Sequence, residues 1–214
     1  MSGERSWPGP SLTATLLRDT DRTLSLVQQL EEREIVVLLT PIAPFVAEDS
    51  NDRRDPFENL GRALERRHCR IRQIPYLNSS GITGAHLVFF ERASVVIFVV
   101  NSGTSRGPHV PADFAHLARL LINGKPFVLV VTCNVLDLEG LEVHFPTVIQ
   151  SQGYTEPALE SVAGLIFGEH GNPPVVNPRP PVQIHTFLEA RDLPFLQDLW
   201  RSTLPSRYTI DNST

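Results

Sequence analysis

The sequence predicts an α/β fold of three layers, a mainly parallel, doubly wound sheet with helices on both faces. Three observations lead there. Short runs of β-branched residues are apolar on both faces, as strands covered from two sides must be. Segments of helical periodicity alternate with those runs, which is the pattern of parallel βα units. The strand candidates also end in small polar stretches, TPIAP (40–44), NSGTSRG (101–107), TCNVLDLE (132–139) and SQGYT (151–155). Ligands of such sheets lie beyond the carboxyl ends of the strands.

The clearest strands are EIVVLLT (34–40), SVVIFVVN (94–101) and PFVLVVT (126–132); RIRQIPY (70–76) and PTVIQS (146–151) are weaker. Asp55 is placed to cap a helix starting at Pro56, with Glu58 completing a capping box and Phe57, Leu60 and Leu64 on one face. Pro111 opens a second helix, where Phe114, Leu117, Ala118 and Leu121 follow the i, i+3, i+4, i+7 rule before Gly124 ends it. Thr155 is the expected N-cap of a third, with Pro157 in its first turn. Glu156 and Glu160 complement its dipole, Leu159, Val162, Ala163 and Ile166 form its buried stripe, and Gly168 stops it. Gly153 permits a tight turn off the preceding strand, and Tyr154 can pack its ring there.

At 214 residues the chain is long enough for one domain with a substantial core and some additional sequence. A hydrophobic share of 41% with 20% charged residues is that of a soluble globular protein. The formal net charge is −5, and the basic residues cluster no further than Glu65-Arg66-Arg67-His68, which argues against nucleic-acid or anionic-membrane binding. Cys69 and Cys133 are too few for a disulfide framework and form no CxxC pair, so both are expected as small buried hydrophobes. The start, MSGERSWPGP, has no apolar signal core, and no apolar run is long enough to span a bilayer. A cytoplasmic protein is expected, and the Asn78 and Asn212 glycosylation patterns are then accidental.

Residues 1–10 read as a disordered tail, and 11–171 as the α/β domain. The proline-dense NPPVVNPRPPV (172–182) suits an extended linker. Residues 183–214 then offer one strand and one helix, too little to bury a core of their own.

Common signatures of chemistry are missing. There is no GxGxxG after the first strand, no P-loop, no GxSxG and no HExxH. No metal, cofactor or catalytic residue is assigned. The most ligand-like stretch is NSGTSRGPH, where small residues let backbone amides approach an oxyanion or a sugar hydroxyl, and Arg106 can pair with an anion. A solvated strand-to-helix loop is the commoner meaning of such a stretch. His109 in that loop reads as a surface group. Asp137 and Glu139 read more readily as complements to a helix dipole than as an acid/base pair. The candidate substrate-binding set is therefore Asn101, Ser102, Arg106, Asn134 and Asp137, all in strand-end loops.

Three stretches, SLTATLLRD (11–19), VVNSGTSRGPHVPADFAHLARLLINGKPFVLVVTCNVLDLE (99–139) and FPTVIQSQGYTEPALESVAGLIFGE (145–169), resemble the C-terminal α/β sandwich domain of glycoside hydrolase family 3, in its β-N-acetylglucosaminidase branch. In that resemblance residues 11–19 are the domain's opening strand. CNVLDL keeps Asn134 and Asp137 but has Val135 and Leu136 where the family has Pro-Tyr, and the closing GrLPV survives only as GNPPVV. The final segment, IHTFLEARDLPFLQDLWRSTLP, resembles the first strand and helix of a GNAT-type acetyltransferase, a domain that some fungal family members carry. The acetyl-CoA loop of that fold would lie further on, so acetyl transfer is not expected.

The resemblance implies hydrolysis of O-glycosyl bonds such as terminal β-N-acetylglucosamine, performed with a (β/α)8 barrel. Such a barrel needs about 250 residues, and ten residues precede Ser11 in this sequence. The family nucleophile and proton donor sit on the barrel, and neither maps onto this sequence. The expected role is a non-catalytic second domain, with a carbohydrate ligand and the barrel as partners. A stand-alone sugar- or anion-binding module is the alternative. A small α/β enzyme of another kind is disfavoured by the missing motifs.

Overall fold

A computed structural model describes residues 13–42, 55–77, 79–101, 111–132 and 144–169. The tail, the linker and the GNAT-like segment lie outside these residues. Six strands are described: β1 (Ala14–Asp19), β2 (Val36–Pro41), β3 (Ile71–Tyr76), β4 (Val95–Val100), β5 (Phe127–Val131) and β6 (Thr147–Ser151). The described helices are α1 (Leu26–Gln29), α2 (Glu58–Glu65), α3 (Gly84–Arg92), α4 (Pro111–Leu121) and α5 (Glu156–Phe167).

The strands form one sheet in the order β1-β6-β5-β4-β2-β3. The pairs from β3 to β6 are parallel and β1 alone runs antiparallel, beside β6. Numbered among themselves, the parallel strands follow the flavodoxin-like order 2-1-3-4-5, whose switch point is where β2 meets β4. The expected three-layer, mainly parallel sheet is what forms.

Alternation along the strands builds two cores, one on each face. Val36 and Leu38, Val95, Ile97 and Val99, and Val128 and Val130 meet α2, α5 and α1 on one side. Val37 and Leu39, Val96, Phe98 and Val100, and Phe127, Leu129 and Val131 meet α3 and α4 on the other. Every residue of β2, β4 and β5 is buried, which explains their unbroken apolar runs.

Several expectations change in detail. Asp55 does not cap a helix at Pro56. Asp55, Pro56 and Phe57 form a turn closed by the Glu58 N–H donating to the Asp55 carbonyl (3.0 Å), so α2 starts at Glu58. The Asp55 carboxylate instead accepts the Phe57 N–H at 2.9 Å. Cys69 is exposed rather than buried, because it lies in the turn between α2 and β3 with its thiol donating to the Glu32 carbonyl. Cys133 lies outside the described residues. Thr155 holds the N-cap position of α5 and Gly168 its left-handed C-cap, though the Thr155 side chain makes no capping bond. Glu160 faces α2, where it pairs with Arg66 and, at 2.8 Å, with Arg67.

Candidate functional site

The carboxyl edge of the parallel strands is lined by small polar residues. β2 ends through Thr40, β4 runs into Asn101, β5 into Thr132 and β6 ends at Ser151, and all four are buried. Thr132 donates its hydroxyl to the Val100 carbonyl (3.2 Å), stitching β5 to β4. Ser151 donates to the Gly153 carbonyl at 2.8 Å, which tightens the turn into α5; Gly153 itself has φ +135°, a region that favours glycine. Tyr76, at the end of β3, spans the switch point by donating its hydroxyl to the Val99 carbonyl (2.8 Å). Burial pushes the Tyr76 phenol well above its ordinary range, so it serves as a neutral donor and not as a base.

Of the expected binding residues, the structure places Asn101 at the switch point, buried at the end of β4. Ser102, Arg106, Asn134 and Asp137 lie outside the described residues, as do His109 and Glu139. Asp55, not picked out as a binding candidate, stands at this edge, and Gln73 reaches it from the middle of β3. Gln73 donates its side-chain amide to the Asp55 carboxylate (3.0 Å) and to Thr40 Oγ1 (3.4 Å). Asp55, assigned from sequence only as a cap, is thus an exposed carboxylate held from two sides. Gln73 could have been noticed as a polar residue in the middle of a strand, RIRQIPY, where an apolar one would pack more simply.

Tyr154 packs as expected, its ring edge-on to Phe57 with centroids 5.5 Å apart. Phe57 is fully buried while Tyr154 remains 37% exposed. The strand-end hydroxyls and the Tyr76 phenol are buried, whereas the Asp55 carboxylate and Tyr154 are exposed beside them. Among the described residues no cluster of three His, Cys, Asp or Glu could hold a metal. No described helix is long and apolar enough to cross a membrane.

A cleft of about 310 Å³ lies at the opposite edge of the sheet, lined by Leu26, Leu30, Phe167, Arg67, His68 and Cys69 among others. His68 and Cys69 lead into the start of β3, so this cleft is remote from the strand ends. Its polar groups are already engaged: His68 Nε2 lies 2.7 Å from the Glu34 carbonyl, and Arg67 pairs with Glu169 and Glu160.

No protein-family model matches the chain, and no curated protein does. Solved structures do match. A fungal multi-domain family 3 β-N-acetylglucosaminidase, which has a GCN5-related glucosamine N-acetyltransferase region, superposes with a TM-score of 0.56 at 19% identity, over 73% of this chain and 16% of its own. The family 3 β-N-acetylglucosaminidase of Paenibacillus sp. str. FPU-7 superposes with a TM-score of 0.54, also at 19% identity, over 73% of this chain and 28% of its own. The likeness at this identity is one of fold. The chain thus spans well under a third of either enzyme.

Proposed function

We propose that the chain acts as the second, non-catalytic α/β domain of a family 3-like glycoside hydrolase, contributing to hydrolysis of terminal β-N-acetylglucosamine together with a (β/α)8 barrel. The observation that carries this reading is the sheet itself, five parallel strands closed by the antiparallel β1, superposing on two such enzymes over 73% of the chain. The motifs in 11–19, 99–139 and 145–169 support it from the sequence side.

In this reading the barrel supplies the nucleophile and the acid, which in retaining enzymes stand about 5–5.5 Å apart across the scissile bond. The α/β domain contributes positioning, through exposed groups at its strand-end edge. Binding without proton transfer still matters, because orienting a substrate is a large part of the barrier.

The test compares two samples in hydrolysis of 4-nitrophenyl N-acetyl-β-D-glucosaminide. One is the purified chain; the other is the native protein captured from its source cells with an antibody to residues 145–169. Activity in the captured material and none in the purified chain is the expected result. Captured protein of 23.9 kDa without hydrolytic activity would overturn the reading.

A further inference from the structure

We infer that the corner where α2 and α5 begin is the saccharide contact of this domain, with the Tyr154 ring as platform and the Asp55 carboxylate, set by Gln73, as hydroxyl acceptor. This rests on the proposed glycosidase-domain role and assigns it to residues outside the candidate binding set named from sequence.

Both halves of the corner hang on one buried residue. The Phe57 N–H holds Asp55 Oδ1 at 2.9 Å, and the Phe57 ring props Tyr154 edge-on at 5.5 Å. Asp55 Oδ2 receives the Gln73 amide at 3.0 Å, so the carboxylate is oriented from two sides while remaining exposed. A carboxylate offers about four acceptor positions; the two bonds leave room for ligand donors.

Gln73 is fixed in turn. Its amide nitrogen donates to Asp55 and to Thr40 Oγ1, and its oxygen occupies the space beside Gly61, where a Cβ would stand 2.3 Å away. Any side chain at position 61 would displace the amide that sets Asp55.

The chemistry selects the ligand class. An ionised carboxylate accepts hydrogen bonds and donates none, so the ligand must bring hydroxyl or amide donors, and an anion would be repelled. A half-exposed phenol ring offers a flat, weakly negative face for C–H groups. A neutral pyranoside, with hydroxyls at its edge and C–H bonds on its face, meets both requirements.

The experiment is titration of the full chain with N,N′-diacetylchitobiose, followed in ¹H–¹⁵N spectra that include the Gln73 side-chain amide. Saturable shifts at Gln73 and around Tyr154 are expected. Tyr154→Ala and Asp55→Asn should each weaken binding about tenfold or more while a dispersed ¹H–¹⁵N spectrum shows the fold retained, and Tyr154→Phe should keep the binding. Gly61→Ala should weaken binding without touching either contact group. Saturable binding that leaves Gln73 unshifted and survives Tyr154→Ala and Asp55→Asn would overturn this inference and leave the domain role standing. No binding by the wild-type chain would overturn it too, and the hydrolysis assay would judge the domain role separately.

Discussion

His116 and His144 meet edge to face with ring centroids 5.3 Å apart near the amino edge of the sheet. Burial lowers the His116 pKa, the neighbouring His144 and Arg119 lower it further, and only Asp113 opposes them. Arg119 also donates to the His144 carbonyl and lies over the Phe145 ring. His144 Nδ1 is buried with no hydrogen-bond partner among the described residues. A histidine whose folded pKa is lowered binds its proton more readily in the unfolded chain. Stability from this site is therefore full above about pH 6.5, the ordinary histidine value, and declines as pH falls below it. Melting temperatures at pH 7.5 and 5.5 should differ less in His116→Gln than in the wild type. An identical pH dependence in the two proteins would remove His116 from this role.

At the scale of elements, α2 and α5 are clamped by charge as well as by their apolar stripes. Arg67 donates to both Glu169 carboxylate oxygens, at 2.8 and 2.5 Å, and to the Ala63 carbonyl at 2.8 Å, while its contact to Glu160 is also 2.8 Å. The bond to Glu169 chiefly raises the Arg67 pKa, against the opposing effect of burial. Burial opposes ionisation of Glu160, but the bonds from Arg67 and Arg66 hold its carboxyl below the ordinary range. Its contribution is present above about pH 4.3, the ordinary glutamate value, and is lost as pH falls through the folded value. The glutamates are partly exposed, so the clamp is screened. Arg67→Met should cost about 1–2 kcal/mol and lower the melting temperature by about 3–6 °C, with the gap narrowing in high salt. Arg66, exposed along most of its length, should matter less when replaced by alanine.

The same scale shows what could be read from the chain. β2, β4 and β5 were legible because strands covered on both faces carry few polar residues, and α5 because its cap position, first-turn proline, stripe and stop glycine all agree. α3 was not foreseen. Its start, Thr83-Gly84-Ala85-His86, is a capping box with histidine in the place of Glu or Gln: His86 Nδ1 accepts the Thr83 N–H at 2.9 Å. Its exposed face also carries Val88 and Phe89, which blurs the amphipathic pattern. Asp55 was read as a helix cap because local spacing alone favours it. The partner that gives it another use, Gln73, is 18 residues away and enters only through the sheet. Of the candidate binding set, Asn101 alone lies among the described residues, directly after β4.

Across the whole molecule, the sheet is closed on one side by the one described strand that runs against the others. β1 lies along β6 from Ala14 opposite Ser151 to Asp19 opposite Thr147, with an irregularity between Leu16 and Arg18. Its far end is fastened by Asp19, whose carboxylate accepts the Thr23 N–H (2.9 Å), the Leu24 N–H (3.4 Å) and the buried Thr147 hydroxyl (2.9 Å). That one side chain joins the turn after β1 to the start of β6. Replacing it with alanine strands donors that folding has removed from water, at about 1–3 kcal/mol for a buried group left unmade. The larger consequence is for the edge. If β1 loosens, β6 presents unpaired backbone groups of a buried, apolar strand, a template for pairing with another chain. Asp19→Ala should therefore speed hydrogen exchange at Thr147–Ser151 and raise the apparent mass in light scattering as concentration increases. Asp19→Asn, which keeps an acceptor oxygen, should do so less. Exchange in β6 that stays slow in Asp19→Ala would mean that the apolar contacts of Ala14 and Leu16 hold β1 in place without the clamp.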